Sequence, residues 1–565
     1  MKKTASWLMI SSLVLGLSVA PGQRALASTP RIPKLPKLIV WIVIDQFRSD
    51  YLSRYSEQFG SGGFRKLMTQ GAYFAQAQYD VLQAVTCVGH AVMATGASPA
   101  RNGIPINRWY NRATQKREYC AEDERYEVVG VAPSEDKKKR DQGTSPKNLN
   151  ATTITDEIKT AYPESRVVAF SQKDRGAILV AGHRADMAVW QDWDTGKWVS
   201  SNYYFKDKKL PQWLQSHNDG IGKTERKPEK WEPLPGGTGT YTPNTVFQKE
   251  SFAGQKKGFP YEFKPGERAY ALGPWNVKEL FKVSRLALNE MKLGQNPKGV
   301  DVLAISVSTH DYVGHNFGPN SREVEEITRH EDLEISALLK EVDQKVGLKN
   351  TIVVLTADHG TPPNPDEVIT HGSPAGKIPT DKWVEDAEKK LATKWGQTSQ
   401  KSVHGHSGYI AFAEELNFFW NDAALSEKKI SKSTADAALK ALLLEKPEVA
   451  DVITASEILE RKLPLGLLGH QVQQSFIPTR SGDVIVNPKP NFMIGGDAVS
   501  HHTGYTYDRT VPIIFMGPSV KSGRYPGGDV MDIAPTLAFI LGVIPPNSSE
   551  GRVLAEALTG RSGIN

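Results

Sequence analysis

Five short apolar runs constrain the fold of this chain more than any other feature of its sequence. Each ends close to polar or ionisable residues, and they are Leu38–Ile44, Val167–Phe170, Val302–Val307, Ile352–Thr356 and Val511–Met516. Runs of this length that stay apolar throughout are typical of parallel strands buried on both faces of a sheet. We therefore interpret all five as buried strands of one parallel sheet.

Helical patterns lie between some of these runs. From about Ser321 to Val346 the apolar residues recur at helical spacing, and a second helical pattern covers Ala437 to Leu444. Strands that alternate with helices indicate the α/β class. The predicted fold is a large doubly wound, mostly parallel central sheet with helices on both faces.

Two regions interrupt this alternation, at about 186–290 and about 380–490. The first is rich in tryptophan (Trp190, Trp193, Trp198, Trp213, Trp231 and Trp275), and the second is less aromatic. We interpret both as inserted cap or accessory regions over the strand ends, where α/β proteins bind ligands. The alternative is that the tryptophans pack the core of a small subdomain.

The N-terminus has the three parts of a secretory signal peptide. A Lys-Lys pair at positions 2–3 precedes a largely apolar stretch over 5–20, and the small-residue sequence Ala25-Leu26-Ala27 follows. This pattern predicts cleavage after Ala27 and export to the periplasm or the medium. An uncleaved membrane anchor is the alternative, and Pro21 and Gly22 argue against it. No later stretch approaches the length of a membrane span, so none is expected in the mature chain.

The charge balance gives no sign of nucleic-acid binding. The chain has 69 Lys and Arg residues against 63 Asp and Glu residues, with both signs mixed along it. The one basic run, Lys137–Arg140, is short, and we interpret it as a solvated loop. The only two cysteines, Cys87 and Cys120, would be free to pair in an oxidising compartment, and we favour a disulfide over two buried thiols.

Carboxylates and imidazoles cluster where the predicted strands end. Leu38–Ile44 leads into Asp45, and the later sets are Asp311 and His315, Asp358 and His359, and the loop 500–505 with His501. If the strands are parallel, the first three sets reach one edge of the sheet, and the loop can join them. Asp and His are the ligands that zinc prefers, and two such sets predict a two-metal centre.

Thr86 is the candidate nucleophile. It precedes the sequence Cys87-Val88-Gly89-His90, which has the character of a first helical turn. Free N–H groups and the positive dipole end at a helix N-terminus favour a developing alkoxide or a bound phosphate. The alternative is that Thr86 simply caps this helix.

The order of these residues resembles the alkaline phosphatase superfamily, and the resemblance runs over most of the mature chain. Asn107 follows Thr86 by 21 residues, and Lys173 and Arg175 follow the run Val167–Phe170. Both features are similar to the bacterial threonine-nucleophile, magnesium-independent alkaline phosphatases. The resemblance implies a catalytic domain over 28–565, with the two regions above as insertions.

The resemblance also implies roles for single residues. One zinc ion would be held by Asp45, Thr86, Asp358 and His359, and a second by Asp311, His315 and His501. Asn107, Lys173 and Arg175 would grip the phosphate, and no organic cofactor is expected. A doubly charged phosphate monoester suits a Lys point charge and a planar Arg fork. The expected protein is an exported, zinc-dependent alkaline phosphatase that acts on small phosphorylated molecules through a phosphothreonine.

One ligand assignment has a close competitor. His501 and His502 are adjacent, and counting back from Tyr505, Tyr507 and Asp508 favours His501 by the resemblance. His371 is a lesser candidate, which we interpret as structural.

Four other functions compete with this prediction. A nucleotide phosphodiesterase of the same superfamily would keep the metals and the threonine without needing Lys173 and Arg175. A sulfatase needs a Cys/Ser-x-Pro-x-Arg segment, which the residues from Thr86 to His90 lack. A cofactor-independent phosphoglycerate mutase would be cytoplasmic and use serine. A catalytically silent exported zinc protein would tolerate loss of Thr86 and the phosphate-binding residues, yet all are present.

Overall fold

The five predicted strands all lie in one ten-stranded sheet. The computed structural model describes residues 35–131, 143–223, 229–236, 251–252, 255–256, 258–264 and 268–559. From one edge to the other the strands are Gly523–Tyr525, Ala72–Gln78, Thr510–Met516, Thr351–Thr356, Leu38–Ile44, Asp301–Val307, Val167–Ser171, Met187–Gln191, Trp198–Ser201 and Val128–Val129. The predicted signal peptide and the basic run 137–140 lie outside the described residues.

The middle of the sheet is parallel. Leu38–Ile44 pairs in parallel with Asp301–Val307 on one side and with Thr351–Thr356 on the other. Val167–Ser171 and then Met187–Gln191 continue the parallel pairing. All seven residues of Leu38–Ile44 are buried, because both faces of the sheet are covered. This confirms the predicted α/β class with a large, mostly parallel central sheet.

The predicted direction of one strand is wrong. Thr510–Met516, which contains the apolar run 511–516, pairs antiparallel with Thr351–Thr356 and with Ala72–Gln78. Burial on both faces makes a strand uniformly apolar whichever way its neighbours run. The apolar run therefore predicted burial correctly and carried no information on direction.

Helices cover the sheet in two groups. One group includes Thr86–Thr95, Asp174–Ala181 and Ile533–Leu541, and the other includes Pro274–Glu290 and Arg322–Lys345. Both Asp174–Ala181 and Pro274–Glu290 pack on the strand Asp301–Val307. The remaining described α-helices are Tyr51–Arg54, Phe64–Gln70, Pro99–Asn102, Ile154–Ala161, Gln212–Lys223, Thr309–Phe317, Pro365–Thr370, Thr380–Trp395, Asp422–Glu427, Lys432–Leu444, Ala455–Leu459, Leu467–Ser475 and Thr506–Arg509.

Both predicted helices are present. Arg322–Lys345 begins after Ser321, whose side chain accepts a hydrogen bond from the backbone N–H of Val324 and so caps the helix. The apolar stripe of this helix is buried, as its helical spacing predicts. Lys432–Leu444 contains the second pattern and starts five residues earlier than predicted, after the N-cap Ser431.

Residues within 380–490 build a second sheet with a hydrophobic core of its own. Its four antiparallel strands are, in spatial order, Ile410–Glu414, Asn417–Trp420, Val484–Pro488 and Val449–Thr454. The helices Thr380–Trp395 and Lys432–Leu444 pack there, around buried Trp383, Trp420 and Leu439. We call this unit the inserted subdomain.

Residues within 186–290 contribute both to the central sheet and to its covering. Met187–Gln191 and Trp198–Ser201 are strands of the central sheet, and Pro274–Glu290 packs on it. The paired strands Glu229–Trp231 and Tyr261–Phe263 lie between them in sequence. The other two-stranded pairings are Arg108–Asn111 with Lys116–Tyr119, Ser251–Phe252 with Gln255–Lys256, and Gly376–Ile378 with Phe492–Ile494. Among the residues described, no helix has the length and apolar character to cross a membrane.

Cys87 and Cys120 form a disulfide, as favoured from the sequence. It joins the start of the helix Thr86–Thr95 to the end of the hairpin 108–119. The two cysteines are 33 residues apart in sequence, and the disulfide closes a loop of that length. Replacing both by alanine is expected to lower the free energy of unfolding by about 4 kcal/mol, the chain-entropy value for a loop of this length. Denaturant unfolding of the variant beside the oxidised wild type measures this loss, and equal unfolding midpoints would contradict it.

Candidate active site

Three aspartates meet at the carboxyl ends of the central strands. Asp45 directly follows Leu38–Ile44, Asp358 follows Thr351–Thr356, and Asp311 lies in the first turn of the helix after Asp301–Val307. These strands are parallel and in register, so their ends reach the same edge of the sheet. All three carboxylates are buried. The convergence expected from the sequence is therefore present.

The carboxylates and imidazoles form two groups able to hold metal ions. Asp45, Asp358 and His359 offer ligand atoms that all lie within 4.8 Å of one another, and so do Asp311, His359 and His501. His315 approaches the second group, with its Nε2 3.2 Å from Oδ1 of Asp311. His359 thus lies within reach of both groups, whereas the resemblance places it in one.

Three histidines direct the same nitrogen into these groups. Nδ1 of His315 lies 2.9 Å from the carbonyl oxygen of Val499. Nδ1 of His359 lies 3.0 Å from the carbonyl oxygen of Gly360, and Nδ1 of His501 lies 2.8 Å from that of Ala84. A carbonyl oxygen can only accept, so each Nδ1 carries a proton and each Nε2 is the nitrogen left to bind a metal ion. Fixing the second ring nitrogen in this way is how metal-binding histidines are oriented. The donor set of carboxylate oxygens and imidazole Nε2 atoms fits zinc.

His501, rather than His502, faces the carboxylates. Nε2 of His501 lies 3.6 Å from Oδ1 of Asp311. Nε2 of His502 instead lies 2.7 Å from the hydroxyl of Ser500. The lesser candidate His371 is exposed at the end of the helix Pro365–Thr370.

Gln46 links the two groups and was missed by the sequence analysis. Its backbone N–H donates to Oδ1 of Asp358 (3.1 Å), and its side-chain Nε2 donates to Oδ1 of Asp311 (2.8 Å). It does so with a φ of 65°, a left-handed conformation that a non-glycine residue rarely adopts. A Cβ at Gly314 would collide with the side-chain amide of Gln46, so a larger residue there would displace that amide from Asp311. The one signal in the sequence that could have pointed to Gln46 was its position directly after Asp45.

Lys173 bridges the two groups electrostatically. Its Nζ lies 2.6 Å from Oδ2 of Asp45 and 2.6 Å from Oδ2 of Asp311. Burial and the neighbouring Asp311 would raise the pKa of Asp45, but Lys173 and His359 hold it well below its usual range. Burial would likewise raise the pKa of Asp311, and His315 and Lys173 hold it well below.

Without a metal, the raised pKa of His359 favours a second ring proton, on Nε2. Burial would lower its pKa, but the carboxylates of Asp358 and Asp45 raise it to about 9. A metal ion must therefore displace this proton, and its affinity weakens as the pH falls.

Close packing brings the Thr86 helix onto Asp358. A Cβ at Gly89 would collide with the backbone of Asp358, so the glycine permits the contact. His90 fastens the same turn: its Nδ1 lies 2.9 Å from the carbonyl oxygen of Thr86, and its Nε2 lies 2.8 Å from the hydroxyl of Ser306. Thr86 is the first helical residue, so the N-cap position belongs to Val85, which makes no side-chain capping hydrogen bond. The capping role that competed with a nucleophilic one is therefore not observed.

The remaining predicted residues lie on the same side of the sheet. Oδ1 of Asn107 accepts a hydrogen bond of 3.0 Å from the backbone N–H of Cys87, directly after Thr86. Arg175 donates to the hydroxyl of Tyr119 (3.4 Å), which donates in turn to Asp174 (2.6 Å). Within the described residues, Nε of Arg175 is buried without a hydrogen-bond partner.

Glu415 was also missed. Its carboxylate accepts from Nδ2 of Asn107 at 2.6 Å and from the backbone N–H of Asn107 at 3.2 Å. Burial and the adjacent Glu414 raise its pKa to about 7, so it is ionised in alkaline solution. It belongs to the inserted subdomain, more than 300 positions from Asn107, and nothing local in the sequence marks it.

Comparison with known proteins agrees with this geometry. The family model described as type I phosphodiesterase / nucleotide pyrophosphatase matches residues 39–506. Alkaline phosphatase PafA of Elizabethkingia meningoseptica is 31% identical over 96% of this chain and 98% of its own length. A Myroides odoratus protein named calcium-transporting ATPase is 32% identical over 93% and 95%. Alkaline phosphatase PhoV of Synechococcus elongatus is 31% identical over 98% and 99%.

Solved structures show the same fold. The crystal structure of wild-type PafA matches with a TM-score of 0.81 at 28% identity, over 93% of this chain and 99% of that one. A PafA variant in which one threonine, one asparagine, one lysine and one arginine are substituted matches with a TM-score of 0.83, with the same coverage. The fold and the paired Asp/His groups define a candidate metal-dependent hydrolase. The chain belongs to the type I phosphodiesterase / nucleotide pyrophosphatase family within the alkaline phosphatase superfamily, which confirms the resemblance found in the sequence.

Proposed function

We propose that the chain is an exported, zinc-dependent alkaline phosphatase that hydrolyses phosphate monoesters of small molecules through a phosphothreonine on Thr86. The observation that carries this proposal is the position of Lys173, whose ammonium contacts one carboxylate of each Asp/His group. A buried cation at the junction of the groups favours the doubly charged phosphoryl group of a monoester over a singly charged diester. The catalytic domain is proposed to span 28–565.

The PafA variant supports the choice of Thr86, Asn107, Lys173 and Arg175 as one functional set. Its four substituted residues are a threonine, an asparagine, a lysine and an arginine, in that order. The threonine and the asparagine are 21 positions apart, and the lysine and the arginine are two apart. Thr86, Asn107, Lys173 and Arg175 have the same order and the same two spacings.

The metal ligands of the proposed mechanism follow the two Asp/His groups. Asp45, Asp358 and His359 with the hydroxyl of Thr86 would hold one zinc ion, and Asp311, His315 and His501 would hold the other. When bound, the two ions supply a lowered pKa for the threonine hydroxyl and positive charge beside the leaving oxygen.

The chain's own residues carry the phosphoryl transfer. Oγ1 of Thr86 gives up its proton and forms a bond to phosphorus as the bond to the alcohol oxygen breaks; the departing alkoxide takes up one proton, which balances the one that the threonine lost. Water then attacks the phosphothreonine, releasing inorganic phosphate and restoring the hydroxyl. Asn107, Lys173 and Arg175 donate hydrogen bonds to the equatorial oxygens in both steps, as fixed donors that need no rearrangement, and the lysine and arginine also offset their negative charge. The buried Nε of Arg175, without a partner in the described residues, is suited to such an oxygen.

Hydrolysis of an aryl phosphate monoester and the matching diester, with chelator-stripped protein before and after zinc addition, tests this proposal. Zinc-restored turnover that strongly favours the monoester is expected. A preference for the diester would instead support the second candidate, a nucleotide phosphodiesterase, which the family description also names. Absence of turnover on both esters with zinc bound would leave a silent metal-binding protein.

Changing Lys173 and Arg175 together to alanine is expected to separate the two esters. We expect monoester hydrolysis to fall by roughly 10³-fold and diester hydrolysis by about tenfold, since charged donors act mainly on the charge of the transferred group. Steady-state kcat/KM values for both esters measure the difference. Lys298→Ala, at an exposed lysine paired with Glu164, is the control. Equal losses on the two esters would contradict the proposed binding of the phosphoryl group by Lys173 and Arg175.

Export is part of the proposal. The signal-peptide pattern lies in residues outside the described part of the chain, but the disulfide between Cys87 and Cys120 is of the kind that persists in oxidising compartments.

A further inference from the structure

The inserted subdomain extends one acidic residue into the candidate active site through a strained turn. Glu414 pairs with Asn417, so Glu415 and Leu416 form a two-residue hairpin loop. Their φ angles are 48° and 64°, the left-handed pair that such loops require and that asparagine and glycine usually supply. Placing glutamate and leucine there costs conformational energy. Strain kept in an ordered turn is a reason to look for a function.

The turn is fastened to the segment that leads into the Thr86 helix. The carbonyl oxygen of Glu415 accepts from the side-chain amides of Gln83 and Asn417. Asn417 also donates to Oε1 of Gln83 at 2.8 Å. Gln83, Glu415 and Asn417 are all buried. The carboxylate of Glu415 is therefore held in place before any ligand arrives.

This carboxylate fixes the orientation of the Asn107 amide. One hydrogen on Nδ2 goes to Oε1 of Glu415, while Oδ1 accepts from the backbone N–H of Cys87. Turning the amide over would set Oδ1 against a carboxylate and Nδ2 against an N–H group, so only one orientation satisfies both neighbours. The second hydrogen on Nδ2 is left for a ligand, in a direction set in advance.

We propose that Glu415 is a positioning residue that orients the Asn107 amide toward an oxyanion, so that the inserted subdomain forms part of the phosphate site. This inference rests on the proposed function and deepens it. It assigns to the subdomain a role in binding the phosphoryl group itself, a part that every phosphate ester has in common.

A double-mutant cycle on the zinc-loaded protein tests the coupling. The proteins are the wild type, Asn107→Ala, Glu415→Gln, and the variant with both changes; glutamine keeps the size of the side chain but offers one acceptor instead of two. The readouts are kcat/KM for an aryl phosphate and the dissociation constant of inorganic phosphate by calorimetry. We expect Glu415→Gln to lower kcat/KM and to raise the dissociation constant of phosphate, each by roughly 10- to 30-fold, the scale of a misplaced binding group. In the Asn107→Ala background the same change is expected to have almost no further effect.

The neighbouring residue provides a matched control. Glu414 lies 3.6 Å from Arg108 rather than contacting Asn107, and Glu414→Gln is expected to stay within about twofold of the wild type in both readouts, as for surface substitutions. Thermal unfolding of all variants separates loss of positioning from loss of folding. If Glu415→Gln fails to fold, Glu415→Asp, which keeps the charge on a shorter side chain, takes its place in the cycle.

The outcomes separate this inference from the proposed function. The positioning role would be overturned if the losses multiplied in the double variant, or if Glu415→Gln had the same activity and phosphate affinity as Glu414→Gln. In either case, monoester turnover by the wild type would still uphold the proposed function. A wild type that hydrolyses no monoester, but in which Glu415 and Asn107 remain coupled in phosphate binding, would overturn the function and uphold the positioning role.

Discussion

Thr86→Ala is expected to lower kcat for a phosphate monoester by at least about 10⁴-fold, the order of loss seen when an enzyme's nucleophile is removed. The methyl side chain has no oxygen to attack phosphorus, while the helix N-terminus and the phosphate-binding residues Asn107, Lys173 and Arg175 remain in place. Zinc content is expected to stay close to that of the wild type, because the other predicted ligands lie on three strand ends and a separate loop. Steady-state kinetics and elemental analysis of the same preparation measure both quantities.

Thr86→Ser is the matched control for this change. Serine keeps the hydroxyl and loses only a methyl group, so we expect turnover within about tenfold of the wild type and a phosphoserine trapped on acid quenching. Alanine and serine variants with equal activity would remove Thr86 as the nucleophile. An alanine variant that had also lost half of its zinc would instead show that the hydroxyl is needed to hold the metal.

The sequence predicted the parts of the fold that depend on burial. Every apolar run became a central strand, because in a sheet covered on both faces the length and apolarity of a run decide its place. Strand direction depends instead on how the chain returns to the sheet, and Thr510–Met516 therefore runs opposite to the prediction. The strands Met187–Gln191 and Trp198–Ser201 lie in a region that its many tryptophans led us to interpret as an insertion outside the central sheet.

The candidate site divides in a similar way. Residues whose chemistry is visible in isolation, such as Asp45 and His359, could be found because they follow apolar strands at recognisable positions. Gln46 and Glu415 act through the geometry of neighbours far away in sequence, and both do so in left-handed backbone conformations. Neither residue type is a usual choice for such a conformation, so turn chemistry gave no warning. A long-range hydrogen bond to a side chain has no periodicity for a sequence pattern to reveal.

His501→Ala is expected to cost one of two bound zinc ions and to lower kcat/KM by roughly 10³-fold, since losing a metal removes its stabilisation of the leaving oxygen. The Ala84 carbonyl holds Nδ1 of His501 at 2.8 Å, which leaves Nε2 as the ligand atom beside Asp311. Alanine offers no replacement donor in this buried position. Zinc per chain, measured after dialysis against buffered free zinc, and kcat/KM for an aryl phosphate are the two readouts.

His502→Ala tests whether zinc binding depends on His501 in particular or only on the number of histidines in this loop. Its ring stacks on that of His501 with centroids 5.3 Å apart, but its Nε2 is engaged with Ser500, so removing it leaves both Asp/His groups intact. Both zinc ions and activity within a few-fold of the wild type are expected, as for a change that removes no ligand. Loss of zinc from His502→Ala and its retention in His501→Ala would exchange the two assignments. Loss from both variants would mean that the loop 500–505, rather than one imidazole, determines the second site.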